Sequence, residues 1–128
     1  MKIDDMQCDD NLLCGVNSPK DWNAMTDLEK KHLPVIDAPE KVMRGKAFEV
    51  TITVGKLLAH PNEPGHFVQF LELYSGNTLL GRVDLVPEQA SPRVVMTVAL
   101  NHSHPLRAFA HCNLHGTWEY KKDIKLEG

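Results

Sequence analysis

Five side chains with the chemistry of metal ligands fall in three short stretches of this sequence. His32 stands behind a lysine and ahead of Leu33-Pro34. His60 and His66 close the stretch His60-Pro61-Asn62-Glu63-Pro64-Gly65-His66. Cys112 and His115 sit three residues apart in Cys112-Asn113-Leu114-His115-Gly116. One soft thiolate with four imidazoles is an unusual set. It suits iron, as a redox centre with an open position rather than as a structural clamp. Each stretch is weak by itself, because a loop histidine is ordinarily solvated and a lone cysteine is ordinarily a small buried hydrophobe. Weight comes from their joint occurrence in one chain. A structural zinc module is a competing reading, but zinc prefers four ligands in a tetrahedron, and five donors with four imidazoles match that poorly.

Side chains this far apart must be brought together by the fold. Phe48, Val50, Ile52 and Val54 alternate with Glu49, Thr51 and Thr53, the period of two expected of a half-buried strand. Phe67 to Tyr74 is a nearly continuous apolar run closed by Ser75-Gly76-Asn77. Leu79, Val83 and Leu85 alternate with Leu80, Arg82 and Asp84. Val94, Met96, Val98 and Leu100 alternate again, and Leu106–Cys112 and Thr117–Lys121 end the series. Turn signals separate these segments at Arg44-Gly45-Lys46, 61–65, 75–77, 87–92 and 101–105. Six or seven short strands at this spacing predict an all-β fold, an immunoglobulin-like antiparallel β-sandwich. Residues 1–30 read as an irregular N-terminal extension, acidic and without clear period, and 31–128 as the sandwich domain. A helical turn is expected around Pro19–Trp22, and Asp27–Lys31 reads as a further short turn or a loop. The ligand candidates fall at strand edges and on loops, where a rigid sandwich commonly carries function.

The chain has 128 residues, a 42% hydrophobic share and a net charge of −3. That is enough for one domain with a core, and it argues against disorder, a nucleic-acid surface or a membrane surface. No apolar run approaches the ~20 residues of a bilayer span, and the acidic start lacks a signal peptide's apolar stretch, so a cytoplasmic location is expected. The three cysteines, Cys8, Cys14 and Cys112, are an odd count without an export signal, which argues against a disulfide framework. Cys8 and Cys14 do not have the C-x-x-C spacing of an iron knuckle or zinc ribbon, and they read as ordinary small residues, with redox sensing or an intermolecular disulfide as the alternative.

Lys31-His32-Leu33-Pro34-Val35-Ile36, the Val54-Gly55-Lys56 lead to His60-Pro61-Asn62 and His66, Leu71-Glu72-Leu73-Tyr74, and Cys112-Asn113-Leu114-His115-Gly116-Thr117-Trp118-Glu119 together resemble the superoxide reductases, the neelaredoxin and desulfoferrodoxin iron-domain family. The resemblance covers roughly residues 21–121 and is to the one-iron type. It implies one iron per chain, cycling between Fe2+ and Fe3+, with His32, His60, His66 and His115 equatorial, Cys112 axial and the sixth position open in the ferrous state. It also implies one-electron reduction of superoxide to hydrogen peroxide, with the thiolate donating strongly to the metal. Lys31 takes the place of the lysine that attracts superoxide and helps protonate the product, by a field that makes encounter salt-dependent.

The sequence departs from that pattern in one place. The family order is Glu-Lys-His, with the glutamate binding ferric iron. Here the order is Glu29-Lys30-Lys31-His32, so ligation by Glu29 needs a mobile segment, with water or hydroxide as its alternative. Cys8 and Cys14 cannot supply the tetracysteine centre of two-iron members. Electrons are therefore expected from an external, rubredoxin-like donor, and the resemblance further implies a homo-oligomer, a dimer or tetramer. A non-catalytic iron-thiolate electron carrier is the alternative function; it needs neither a guiding lysine nor an open position. His102, His104 and His111 read as surface or supporting histidines. His111 should face away from Cys112 if strand alternation persists.

Overall fold

Ten strands and one short helix make up residues 11–128, the residues described by a computed structural model of the chain. In order they are β1 (Val16–Asn17), α1 (Asp27–His32), β2 (Pro34–Asp37), β3 (Lys41–Met43), β4 (Phe48–Val54), β5 (Val68–Ser75), β6 (Thr78–Asp84), β7 (Arg93–Val98), β8 (Leu106–Cys112), β9 (Gly116–Lys122) and β10 (Lys125–Glu127). One sheet has the order β1-β9-β8-β5-β6, a second has β2-β4-β7, and β10 pairs with β3. The long pairings are antiparallel. The short additions β1 on β9 and β10 on β3 are parallel.

Period-two burial makes this an all-β sandwich. Val50, Ile52 and Val54 of β4 are buried with Ile36 of β2, and they meet Leu71 and Leu73 of β5 and Leu106, Ala108 and Ala110 of β8 in one core cluster. Side chains from the two inner faces interdigitate, as aligned sheets require. On β8 the inward series continues to its last residue, Cys112, which is 1% exposed. Strand alternation thus aims the thiol inward at the end of the sandwich.

Along β6 the expected alternation fails. Leu79 is 48% exposed, whereas Leu80 packs against the core. The β5–β6 register shifts between Leu73 and Tyr74, so that Leu73 faces Gly81 while Tyr74 faces Leu79. The extra residue, Leu80, reverses which side faces inward.

Residues 11–26 are irregular apart from the two-residue β1, but they are fastened to the sandwich. The Asn17 side-chain amide donates to the carbonyls of Leu12 (2.7 Å) and Thr117 (2.9 Å). Trp22 meets Tyr120 edge-on at 5.8 Å. Around Trp22 the chain makes a turn closed by Ala24 N–H to the Asp21 carbonyl rather than a helical turn. Cys14 is disulfide-bonded, which corrects its reading as an ordinary small residue; Cys8 lies outside the described residues. Among the described residues no helix is long and apolar enough to cross a membrane.

Candidate metal centre

Helix α1 is six residues long, too short to stand by propensity alone, and its ends are closed by side chains. Thr26 caps it in a capping box. The Thr26 hydroxyl accepts from Glu29 N–H (3.2 Å), and the Glu29 carboxylate accepts from Thr26 N–H (2.8 Å). The other Glu29 oxygen accepts from Lys20 N–H at 3.2 Å. Glu29 is 8% exposed, and both carboxylate oxygens are engaged, one at the helix start and one on the backbone ahead of it.

At the other end of α1, His32 is 2% exposed. Its Nδ1 lies 2.6 Å from the Leu28 carbonyl one turn back. A carbonyl only accepts, so Nδ1 carries the proton and Nε2 is left with its lone pair. His60 is fixed the same way, with Nδ1 2.6 Å from the Pro61 carbonyl.

The four imidazoles form a closed ring. Centroids are 4.7 Å apart for His32 and His60, 4.9 Å for His60 and His66, 5.0 Å for His66 and His115, and 4.9 Å for His115 and His32. Ligand atoms of His32, His60, His66 and Cys112 all lie within 4.8 Å of one another. Nδ1 of His115 is 3.8 Å from the Cys112 sulfur. Trp118 stacks on His32 at 5.2 Å and donates its indole N–H to the His115 carbonyl at 2.9 Å. Gly116, at φ +79°, lets the turn pass beneath the N-terminal segment; a Cβ there would lie 1.9 Å from the Leu12 carbonyl oxygen.

Two features of this ring fit a cation. His32 Nε2 and His60 Nε2 are 3.2 Å apart. With both Nδ1 atoms protonated, two lone pairs face each other. His66 Nε2 is buried and has no hydrogen-bond partner, which is costly unless something binds it. A metal ion among these nitrogens resolves both. Burial, opposed by the Leu28 hydrogen bond, lowers the His32 pKa to about 4. Burial also lowers those of His60 and His115, so neutral, ligating imidazoles prevail. Burial pushes the Cys112 thiol up, against backbone hydrogen bonds from Leu114 and His115.

Lys31 is half-buried at the end of α1, and its charge is felt by both His60 and His115. Among the described residues it has no ion pair. Glu29 and His115 both lie outside the group of ligand atoms within 4.8 Å of one another, but His115 adjoins it through the Cys112 sulfur and the His32 and His66 rings. His111 points to the opposite side of β8, stacked on Phe70 at 5.2 Å and 2.8 Å from the Thr117 hydroxyl. His102 and His104 are exposed, with ring centroids 6.0 Å apart. The sequence reading assigned no role to Asn62, Asn113 or Trp118, although all three stand inside the stretches that carry the resemblance. The signal was their position, each within three residues of a candidate ligand.

The chain has known counterparts. The desulfoferrodoxin family model matches residues 24–121. A superoxide reductase of Pyrococcus horikoshii is 33% identical over 116 residues, spanning 84% of this chain and 92% of that one. A protein of Methanocaldococcus jannaschii is 42% identical over 117 residues, 89% of this chain and 97% of its own. The solved structure of the superoxide reductase (neelaredoxin) from Ignicoccus hospitalis is 43% identical, with a TM-score of 0.69 over 75% of this chain and 81% of that one. This chain belongs to the desulfoferrodoxin family.

Proposed function

We propose that this protein is a superoxide reductase that uses one iron per chain, held by His32, His60, His66, His115 and Cys112. The observation that carries this is the ring of four imidazoles beside a buried thiol, in a chain whose relatives include proteins named superoxide reductase. Bound iron supplies the electron, cycling between Fe2+ and Fe3+.

The chain's own residues do the rest. Leu28 and Pro61 carbonyls fix His32 and His60 in the tautomer that offers Nε2 inward, a common way to orient metal-bound imidazoles. The backbone N–H groups of Leu114 and His115 temper the charge on the Cys112 sulfur. Lys31 sets a positive field beside the site in a chain of net charge −3; such a field draws in a small anion and places a proton donor near its product. The reaction balances as superoxide plus one electron and two protons giving hydrogen peroxide.

Glu29 fits the role of helix cap better than that of iron ligand, because ligation would cost its carboxylate two hydrogen bonds, one from the Thr26 N–H at the helix cap and one from the Lys20 N–H. An identical pH titration of the ferric visible spectrum in Glu29→Gln would support this assignment, and a lost transition would refute it. The electron donor is proposed to be a small external carrier of the rubredoxin kind, and the protein a homo-oligomer. The test of the activity is peroxide yield. Reduced, iron-loaded protein should give one hydrogen peroxide per superoxide consumed and evolve no oxygen. Half that yield with oxygen release would mean dismutation, and no consumption would leave a carrier.

A further inference from the structure

We propose that Asn113 is a positioning residue that locks His66 to the turn bearing Cys112 and His115, an inference that rests on the metal-centre reading above. His66 lies at the end of a segment with little apolar anchorage: Leu57 and Leu58 are 45% and 36% exposed, and Ala59, Glu63, Pro64 and Gly65 are exposed as well. Locally, His66 makes only a small bridge with Glu63, two backbone hydrogen bonds of 3.0 Å. That bridge shapes the segment but does not place it relative to the thiol.

Asn113 does so from both sides of His66. Its side-chain NH2 donates to the carbonyl of Gly65, the residue before, at 2.9 Å. Its side-chain oxygen accepts from the N–H of Phe67, the residue after, also at 2.9 Å. Its own backbone N–H donates to the Phe67 carbonyl at 3.2 Å. The next residue back is Cys112, so the three bonds tie the histidine's backbone to the residue adjoining the sulfur.

A carboxamide of this length is required, because one bond needs a donor and the other an acceptor on the same short side chain. Aspartate keeps the acceptor and loses the donor. Alanine loses both. The backbone bond survives either change.

The experiment loads wild type, Asn113→Asp and Asn113→Ala with Fe2+. It follows iron release to excess chelator, together with amide hydrogen exchange at Phe67 and at Leu71 in the core of β5. Asn113→Ala should expose the Phe67 amide, leave Leu71 protected and release iron about tenfold faster, the lower end of what loss of a supporting hydrogen bond does to metal retention. Asn113→Asp should fall between, with Phe67 still protected, and it carries the test alone should Asn113→Ala not fold. Release at the wild-type rate, or protection lost equally at Phe67 and Leu71, would overturn the proposal. Wild type that takes up no iron would remove the metal-centre reading and this proposal with it. Wild type that holds iron beside variants that release it no faster would remove only this proposal.

Discussion

The turn that carries Cys112 and His115 and the loop that carries His60 and His66 meet in the proposed metal centre, yet they are held in opposite ways. The turn grows out of β8 and β9. Its thiol is the last of an inward series, Leu106, Ala108, Ala110 and Cys112, none more than 2% exposed, so core packing delivers it. Trp118, equally buried, braces it from β9. The loop has almost no core. It is fastened by two carboxamides, Asn113 on the ligand turn and Asn62, whose oxygen accepts from Glu88 N–H at 2.7 Å and whose NH2 donates to the Ala90 carbonyl at 3.2 Å. A ligand on a strand end inherits its position from the hydrophobic effect, whereas a ligand on a loop needs directional polar bonds to stay in register.

The largest expected effect lies on the packed side. Cys112→Ser should abolish the thiolate-to-iron absorption and most superoxide reduction, read by visible spectroscopy of the iron-loaded protein; retention of the band would remove Cys112 as a ligand. Next comes Trp118→Ala, which should cost about 3–5 kcal/mol of stability, as large-to-small changes in a core do, measured by denaturant unfolding. Trp118→Phe should recover much of that while leaving the His115 carbonyl without its indole partner.

On the fastened side the effects are smaller and more local. Asn62→Ala should cost about 1 kcal/mol and let Glu88 relax from its φ of 68°. It should speed iron release less than Asn113→Ala, since neither Glu88 nor Ala90 adjoins a ligand. Equal release from both variants would break the comparison, because any loosening of the loop would then suffice. The smallest structural effect is expected of Lys31→Ala. Its unfolding midpoint should stay within about 0.5 kcal/mol of wild type, while the rate with superoxide falls and loses its dependence on ionic strength. An unchanged salt slope would take Lys31 out of the steering role.

The packed side was also the legible side. Leu106–Cys112 and Phe48–Val54 show their strands in the sequence because each has one face in the core and one toward solvent, and the alternation writes itself into residue type. The short strands β1, β2, β3 and β10 have two to four residues, too few for a period, and form because distant chain offers them partners. Leu79 misled because a register shift opposite Tyr74 is not encoded by hydrophobicity. The ligand types announced themselves, since histidine and cysteine carry rare chemistry. Asparagine does not. Asn113 bonds to Gly65 across 48 residues of sequence, and only the fold reveals that partner. Glu29 is a ligand candidate only through the family order Glu-Lys-His, from which it is displaced by one residue. Its role as a cap follows from Thr26 three residues before it, a spacing that marks a capping box.

The central claim is that this ring of imidazoles with its thiol reduces superoxide, and pulse radiolysis of the reduced, iron-loaded protein tests it most directly. The account predicts that superoxide reacts with the ferrous protein at close to the diffusion limit, ~10⁸–10⁹ M⁻¹s⁻¹, and that the thiolate-to-iron colour then develops. Colour that appears with chemical oxidants while superoxide leaves the ferrous protein unchanged would contradict it, and would make the protein an iron-thiolate electron carrier.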